Sequence, residues 1–249
     1  EALINYISCL DWPDDVKKFN EFWPGFQVAG KDNLRQQSSM WQAMLLSAGL
    51  PTSKQIFIHG FITSGGQKMS KSLGNVIDPF RLVQKYGVDP VRYFLLREIS
   101  PTEDGDFTYE KFRQRYNSDL ARGLGNLVAR IMALREKLKR QSARIKTVIK
   151  NLKLKKEISN TQKNYKKALE EFKFNEALVA IWELISFCDK YIEKEKPWQE
   201  SERQKEAISN LLLAVSEIAK LLEPFLPGTA EKILEQIKTR KSKPLFPRI

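Results

Sequence analysis

The chain has 249 residues, of which 42% are hydrophobic and 29% are charged. This composition is typical of a globular protein with one large domain or two small ones. The two cysteines exclude a disulfide scaffold and a four-cysteine zinc site made from this chain alone. No run of 18 or more apolar residues occurs, so we expect no transmembrane helix and a cytoplasmic location.

The charge of the chain is strongly positive. There are 42 Lys and Arg residues against 30 Asp and Glu, which gives a net charge of +12. Such a surplus favours a polyanionic partner, usually nucleic acid, although a generally lysine-rich proteome would also produce it. Residues 135–167 hold thirteen Lys or Arg and only two acids, Glu136 and Glu157. This stretch predicts either a basic surface for RNA phosphates or an ordinary solvated helix face.

Residues 1–67 are predicted to alternate strands with helices. Residues 26–29 and 55–59 are short runs that favour strands, and the intervening helix predicts that they pair in parallel. Asp32 is predicted to cap this helix, which we place over about residues 33–48. The face of the helix that is expected to be buried consists of Met40, Trp41, Met44 and Leu45.

The rest of the chain is predicted to be mainly helical. Asp78 and Asp89 each precede a proline, which is typical of an N-cap followed by the first helical residue. From Thr108 onward we predict no strand. The predicted helices there cover residues 108–139, 160–194, 202–222 and 230–237. The fold class is therefore α/β followed by all-α.

A loop with two lysines follows a predicted hairpin turn at Gly65 and Gly66. Its sequence is Lys68-Met-Ser-Lys71-Ser-Leu-Gly-Asn. Lysine ammonium groups on a loop of small residues can contact the phosphate oxygens of a ligand. On composition alone, a solvated loop with two surface lysines is the more common interpretation.

The segment Lys68-Met-Ser-Lys-Ser72 resembles the second signature of class I aminoacyl-tRNA synthetases. Its extension to Pro79 resembles the methionyl-tRNA synthetase family and, less closely, the leucine, valine and isoleucine enzymes. The resemblance continues over essentially the whole chain and implies that the chain is the carboxy-terminal half of such an enzyme. The other similar segments are Glu1–Tyr6, Gly30–Asp32, Ile58–Gly60, Tyr86–Asp89, Arg92–Arg97, Asp104–Phe107, Asn117–Leu120, Gly125–Leu127, Pro197–Trp198 and Leu245–Ile249.

The resemblance implies three parts of the chain. Residues 1–67 would be the second half of a Rossmann-like nucleotide-binding domain, and residues 68–115 the KMSKS loop with a stem-contact linker fold. Residues 116–249 would be a helical-bundle anticodon-binding domain. The first class I signature is absent from this chain. We therefore expect the missing N-terminal half to be a partner, and we expect the isolated chain to form methionyl-adenylate inefficiently.

The reaction implied by the resemblance joins methionine to ATP and then transfers the methionyl group to tRNA(Met). In the first step a carboxylate attacks a phosphate, so catalysis depends mainly on positioning and charge neutralisation. By resemblance, Lys71 and Lys68 are the catalytic residues. ATP would arrive with Mg²⁺, and zinc, where a member has it, would belong to the absent half.

Two further sets of side chains are expected to bind the small substrates. The resemblance assigns ATP binding to Lys71, Gly30, Asp32, His59 and Gly60. Asp32 would bond the ribose hydroxyls, and its alternative role is that of a helix cap alone. Tyr6 and Gln37 would line the methionine pocket. The family often has histidine at the position of Gln37, so this chain departs from the family pattern at a residue that would contact the methionine side chain.

A third set is expected to read the CAU anticodon of tRNA(Met). It consists of Asn126, Arg130 and Trp198. Asn126 and Arg130 are four residues apart and so share a helix face. An amide, a guanidinium and an aromatic plane together suit unstacked bases. The alternative for Trp198 is a buried anchor between helices.

Two other functions stay open. The chain could be a stand-alone tRNA-binding module without catalysis. It could also be a synthetase for leucine, valine or isoleucine, although the Asn126, Arg130 and Trp198 set argues against this.

Overall fold

The computed structural model describes residues 2–138, 149, 151–201 and 203–249. The chain divides into two compact units, Glu1–Ile62 with Thr102–Gly105, and Thr63–Pro101 with Asp106–Ile249. Part of the predicted basic stretch, at 139–148 and 150, lies outside the described residues. No helix within the described ranges is long and apolar enough to cross a membrane.

The first unit contains a parallel pair of strands. β1 (Phe26–Gly30) pairs with β2 (Gln55–His59), and Gly30 lies opposite His59 at the end of the pair. The two predicted strands and their parallel pairing are confirmed. The α-helices of this unit are α1 (Asn5–Ser8), α2 (Val16–Phe22) and α3 (Trp41–Ser47). Its buried core consists of Ile7, Phe19, Trp23, Trp41 and Leu45.

The helix predicted from about residue 33 has an irregular start. A 3₁₀ turn over Lys31–Asn33 precedes a π-helix over Gln36–Met40, and α3 begins only at Trp41. Asp32 lies inside the 3₁₀ turn, and its carboxylate accepts no backbone N–H of the described residues. The predicted cap at Asp32 is therefore wrong, because the chain turns before the α-helix begins.

The predicted buried face of this helix is only half right. Trp41 and Leu45 are each 1% exposed, but Met40 and Met44 are 50% and 39% exposed. Successive side chains of a helix point about 100° apart, so Met40 and Met44 lie on a different stripe of the surface from Trp41 and Leu45. The core of this unit contacts the stripe of Trp41 and Leu45 and leaves the methionine stripe exposed.

Three short strands form a second sheet. They are β3 (Ile62–Ser64), β4 (Gln67–Lys68) and β5 (Gly105–Phe107), in the order β4-β3-β5. β3 and β4 form an antiparallel hairpin. Gly65 and Gly66 connect them with φ values of 60° and 77°, which glycine adopts without strain. The predicted hairpin turn is confirmed.

Two helices lie between β4 and β5 in the sequence, α4 (Pro79–Tyr86) and α5 (Val88–Glu98). Asp78 caps α4 as predicted, because its carboxylate accepts the N–H of Phe80 at 2.9 Å. α5 has no side-chain cap. The carboxylate of Asp89 instead accepts the N–H and the hydroxyl of Thr229, at 2.5 and 2.6 Å. The second predicted cap is therefore wrong, because a distant helix start binds that carboxylate.

From Thr108 onward the described residues form helices and no strands, as predicted. The predicted helix over 160–194 is two helices, because the chain reverses at Phe172 with a φ of 57°. The core contains side chains with no exposed surface, among them Leu127, Leu178 and Ile181. The helices are α6 (Tyr109–Arg115), a π-helix (Tyr116–Gly125), α7 (Asn126–Leu138), α8 (Leu152–Glu170), α9 (Phe174–Glu195), α10 (Gln204–Leu222) and α11 (Pro227–Thr239).

Candidate functional site

The two-lysine loop after β4 is closed by the side chain of Asn75. Its Oδ1 accepts the N–H of Ser70 at 2.9 Å, and its Nδ2 donates to the carbonyl of Lys68 at 3.2 Å. Inside this clasp, the N–H of Gly74 donates to the carbonyl of Lys71 at 3.2 Å. The side chain of Lys71 is exposed and forms no ion pair or hydrogen bond with the described residues. The loop therefore presents an uncompensated ammonium group on a fixed backbone.

Asp106 holds the hairpin that carries this loop. Its Oδ1 accepts the N–H of Gly66 at 2.7 Å and the hydroxyl of Thr63 at 2.9 Å. The hydrogen bond from Gly66 is the main reason that the pKa of Asp106 lies below its usual value, and Lys111 adds to the effect. We did not predict this role from the sequence. The only signal was that Asp106 belongs to the segment Asp104–Phe107, which carries part of the family resemblance.

The residues predicted to bind ATP in the first unit lie together where β1 and β2 end. A Cβ built at Gly30 would lie 2.7 Å from Oδ1 of Asp32 and 3.6 Å from Cε1 of His59. The Nδ1 of His59 lies 2.9 Å from the carbonyl oxygen of Gly60. Ligands of parallel sheets bind beyond the carboxyl ends of the strands, which is where these four residues lie.

Gly60 has a structural reason to be glycine. A Cβ at this position would lie 2.1 Å from the carbonyl oxygen of Glu103, so no larger residue fits without moving that backbone. Next to it, Asp104 accepts the N–H of Phe61 at 2.8 Å and the ammonium of Lys31 at 2.6 Å. The Lys31 ammonium is the main cause that lowers the pKa of Asp104. Asp104 thus connects the residue after β1, Lys31, with the segment after β2, Gly60 and Phe61.

Tyr6 and Gln37, predicted to line one pocket, are in direct contact. Nε2 of Gln37 donates to the Tyr6 hydroxyl at 2.7 Å, and the rings of Tyr6 and Trp41 lie 5.9 Å apart. Gln37 is only 5% exposed, and its Oε1 has no hydrogen-bond partner among the described residues. The Nε1 of Trp41 is likewise buried without a partner there. Two polar atoms therefore remain unsatisfied beside an aromatic surface, an arrangement that is uncommon in protein interiors.

Arg130 joins α7 to α9 through two carboxylates. Its guanidinium donates to Asp189 at 3.1 Å and to Glu193 at 2.5 Å. Burial raises the pKa of Asp189, and Arg130 acts in the opposite direction. Asn126 is exposed one turn before Arg130 on α7, so the predicted shared helix allows both to face one ligand.

Trp198 follows the end of α9 and is 42% exposed. The alternative interpretation of this residue, a buried anchor between helices, is therefore wrong. Its neighbour Pro197 is the buried residue at this point, and its carbonyl accepts a hydrogen bond from Gln204 at 3.1 Å. An exposed indole on a fixed backbone can stack on a base.

The predicted site residues fall into separate groups. The set at the ends of β1 and β2 and the pair Tyr6–Gln37 belong to the first unit. Lys68, Lys71 and the three candidate anticodon residues belong to the second unit. Within the described ranges, no group of three or more His, Cys, Asp or Glu side chains is arranged to hold a metal ion.

Comparison with known proteins gives matches over nearly the whole chain. Residues 1–132 match the family described as tRNA synthetases class I (M), and residues 151–246 match the anticodon-binding domain of tRNA ligase. Methionine–tRNA ligase of Lactococcus lactis is 39% identical over 95% of this chain and 37% of its own length. The Rickettsia bellii methionine–tRNA ligase is 37% identical over 99% of this chain and 50% of its own length. The chain thus spans half or less of these curated relatives.

A solved structure has the same fold. The methionyl-tRNA synthetase of Mycobacterium tuberculosis, in complex with methionyl-adenylate, superposes with a TM-score of 0.87 at 31% identity. The superposition covers 99% of this chain and 55% of that protein. The predicted fold class and the predicted resemblance are both confirmed. Since the synthetase match extends over more than half of the chain, this protein belongs to the class I (M) tRNA synthetases.

Proposed function

We propose that this chain is part of a methionine–tRNA ligase, in which it supplies the lysine loop and the surface that recognises tRNA(Met). The relatives named above carry this activity in their names, and a structural relative binds methionyl-adenylate. The observation that carries the catalytic part of the proposal is the exposed and unpaired Lys71 on the Asn75-closed loop. An ammonium group without a carboxylate partner is available to an anionic ligand.

The first reaction step joins two anions, the methionine carboxylate and the α-phosphate of ATP. Negative charge accumulates on the phosphates as pyrophosphate leaves. Lys71 neutralises this charge, and Lys68 assists from the start of the loop. The Asn75 clasp positions the Lys71 backbone before the substrate arrives, which reduces the reorganisation that the reaction needs. Loss of one such preorganised cation lowers a rate by about 10²–10³.

The first unit contributes the binding of the small substrates. The backbone at Gly30 and Gly60 borders the nucleotide where the two strands end, His59 lies beside the nucleotide, and the exposed carboxylate of Asp32 accepts hydrogen bonds from the ribose hydroxyls. Tyr6 and Gln37 bind the methionine side chain. The unsatisfied Oε1 of Gln37 supports methionine binding at this place, because this acceptor can take a hydrogen bond from the α-ammonium group of methionine, the one donor that the amino acid offers.

The second unit contributes the recognition of the CAU anticodon. Trp198 stacks on a base and Asn126 forms hydrogen bonds with a base edge. Arg130 releases one of its two carboxylate partners and donates a hydrogen bond to an acceptor atom of a base instead. Its two carboxylates hold the guanidinium in place in the absence of RNA, which lowers the entropy lost on binding. The predicted parts 1–67, 68–115 and 116–249 remain our assignment of catalytic, linking and anticodon-binding regions.

The expected cosubstrate is ATP with Mg²⁺, which supplies charge neutralisation at the phosphates when bound. Lysines are the only residues of this chain that we assign to the phosphates. Zinc, where a member has it, is assigned to the part of the enzyme that this chain does not include. The remaining partners are methionine, tRNA(Met) and that other part, and the proposed location is the cytoplasm.

The catalytic role is tested by supplying this chain with the part of the Rickettsia bellii relative that it does not cover. ATP–pyrophosphate exchange is then measured for the unaltered chain, for Lys71→Ala and Lys71→Arg, and for the control Lys205→Ala. Lys205 is an exposed lysine on α10 without a partner among the described residues. We expect exchange to fall roughly 100-fold or more in Lys71→Ala and to stay unchanged in the control. Equal exchange in both variants would refute the role of Lys71.

A stand-alone tRNA-binding module is the second candidate, favoured by the match of residues 151–246 to an anticodon-binding domain. The two candidates differ in one measurement. A module would bind a CAU-containing tRNA tightly while the complemented chain showed no exchange above background. Equal binding of tRNAs with CAU and unrelated anticodons would refute the anticodon assignment in both cases.

A further inference from the structure

A groove of about 470 Å³ lies between the start of α7 and the end of the chain. Asn126, Arg122 and Arg248 all line it. Neither arginine has an ion pair or a hydrogen bond with the described residues. Among those residues, no Asp or Glu lines the groove. A concave surface with two uncompensated guanidinium groups attracts an anion.

One wall of the groove is the segment over residues 241–249, which we call the strap. An amide side chain clamps it at each end. Gln236 on α11 bonds the backbone N–H and C=O of Lys243, both at 3.0 Å. Asn117 lies on the π-helix Tyr116–Gly125. Its Nδ2 donates to the main-chain oxygen of Ile249 at 2.8 Å, and its Oδ1 accepts the N–H of Ile249 at 3.2 Å. Because both clamps are reciprocal pairs of hydrogen bonds, the path of the strap is fixed by the helices beneath it.

Phe246 packs the strap against the helix that forms the other wall of the groove. The ring of Phe246 lies against Gly125, since a Cβ built at this glycine would be 3.7 Å from the ring, an ordinary van der Waals distance. The Phe246 ring also meets the ring of Tyr116 edge-on, at 6.0 Å between centroids. These contacts hold the strap two residues before Arg248, so that Arg248 lines the same groove as Arg122.

We propose that this groove binds the phosphodiester backbone of tRNA beside the anticodon, with Arg122 and Arg248 each contacting phosphate oxygens. The inference rests on the proposed role of Asn126, which shares the groove. The planar fork of a guanidinium matches phosphate geometry. Phosphate contacts position an RNA without reading its sequence. The two arginines therefore contribute affinity, whereas Asn126, Arg130 and Trp198 contribute discrimination.

The test measures tRNA binding by the 249-residue chain over a range of salt concentrations. Two transcripts are compared, tRNA(Met) and the same tRNA with an altered anticodon. The variants are Arg122→Ala and Arg248→Ala, with the charge-conserving Arg122→Lys and Arg248→Lys. The matched control is Arg113→Ala, an exposed arginine on α6 outside the groove and without a partner among the described residues. Circular dichroism establishes that each variant is folded.

We expect each alanine variant to lower affinity roughly 5-fold at low salt, equally for both transcripts, because one phosphate contact is lost in each. The slope of log affinity against log salt should fall by about 0.7 per arginine, the value for one contact to single-stranded phosphate. The lysine variants should keep the slope, and Arg113→Ala should match the unaltered chain. Slopes that do not change in the alanine variants would overturn the inference. A loss confined to the CAU transcript would also overturn it, because the arginines would then read bases.

The outcome also separates this inference from the proposed function. If the unaltered chain binds tRNA(Met) in preference to the altered transcript, the anticodon assignment stands whatever the arginine variants do. If the unaltered chain binds neither transcript, the anticodon assignment fails, and the inference fails with it.

Discussion

The carboxylate of Asp89 offers a sharp test of how the helical unit is held together. It lies in the first turn of α5 but binds the start of α11, where it accepts the N–H of Thr229 at 2.5 Å and the hydroxyl at 2.6 Å. No side chain of α11 itself caps that helix. Asp89→Ala therefore removes the only side-chain acceptor that the described residues supply to this helix start.

The magnitude follows from these two contacts. A hydrogen bond to a charged group contributes about 1.5–3 kcal/mol, and a carboxylate at a helix N-terminus adds about 0.3–1 kcal/mol. Asp89 is only partly buried, so water replaces some of the lost contact. We expect Asp89→Ala to lower the free energy of unfolding by about 2–3 kcal/mol. Thr229→Val removes the hydroxyl alone and should cost about 1 kcal/mol.

The assay is urea unfolding followed by circular dichroism at 222 nm, with the two single variants and the double variant. The double variant should lose less than the sum of the singles by about 1 kcal/mol, because both changes remove the same hydrogen bond. Glu231→Ala, an exposed carboxylate on α11 without a partner among the described residues, is the control. An Asp89→Ala variant within 0.5 kcal/mol of the control, a roughly neutral surface change, would refute the reasoning.

Three further predictions concern the loop, an ion pair and the cysteines. Asn75→Ala should open the clasp of the lysine loop, because it removes the acceptor of the Ser70 N–H. If the lost hydrogen bond contributes about 1.4 kcal/mol, hydrogen exchange of the Ser70 amide should become roughly 10-fold faster. An unchanged exchange rate would contradict this. Arg130→Ala should destabilise the chain more at pH 7 than at pH 4. Burial holds the pKa of the Asp189 carboxyl above its unfolded value of 3.8, so this carboxyl stabilises the fold below that pH and loses this stabilisation as the pH rises through the folded pKa. Without Arg130 the folded pKa of Asp189 rises further, so the loss at pH 7 becomes larger. A loss independent of pH in urea unfolding would disprove it. Burial raises the pKa of Cys188 to about 12, so a thiol reagent at pH 8 should modify only the exposed Cys9 in the folded chain, and rapid modification of both would be the contrary result.

Local sequence rules predicted the elements whose cause is local. The two parallel strands and the Gly65–Gly66 turn follow from residue preferences within a few positions. Asp78 caps α4 because its proline neighbour and the next amides are all adjacent to it. The lysine loop was predicted from its string of residues, since a signature of this length is a property of the sequence alone.

The same rules were wrong where a tertiary contact or an irregular helix start replaced the regular local pattern. Asp89 has the sequence context of a cap, but Thr229 lies 140 positions away and binds it. Asp32 also looked like a cap, and the 3₁₀ turn before α3 placed it elsewhere. The site shows the same division. The sequence predicted that Tyr6 and Gln37 would line one pocket, but only the structure shows that their side chains form a hydrogen bond, because the two residues are 31 positions apart.

The sequence by itself determined the family, the order of its α/β and helical regions, and the residue types available for phosphates and bases. Only the tertiary structure decided which charges are paired and which are free. Arg130 forms ion pairs with Asp189 and Glu193. Arg122 and Arg248 line one groove, and no Asp or Glu of the described residues lines it with them. Pattern and propensity act over a few residues, whereas these pairings join positions more than fifty residues apart, and only the packing of helices brings such positions together.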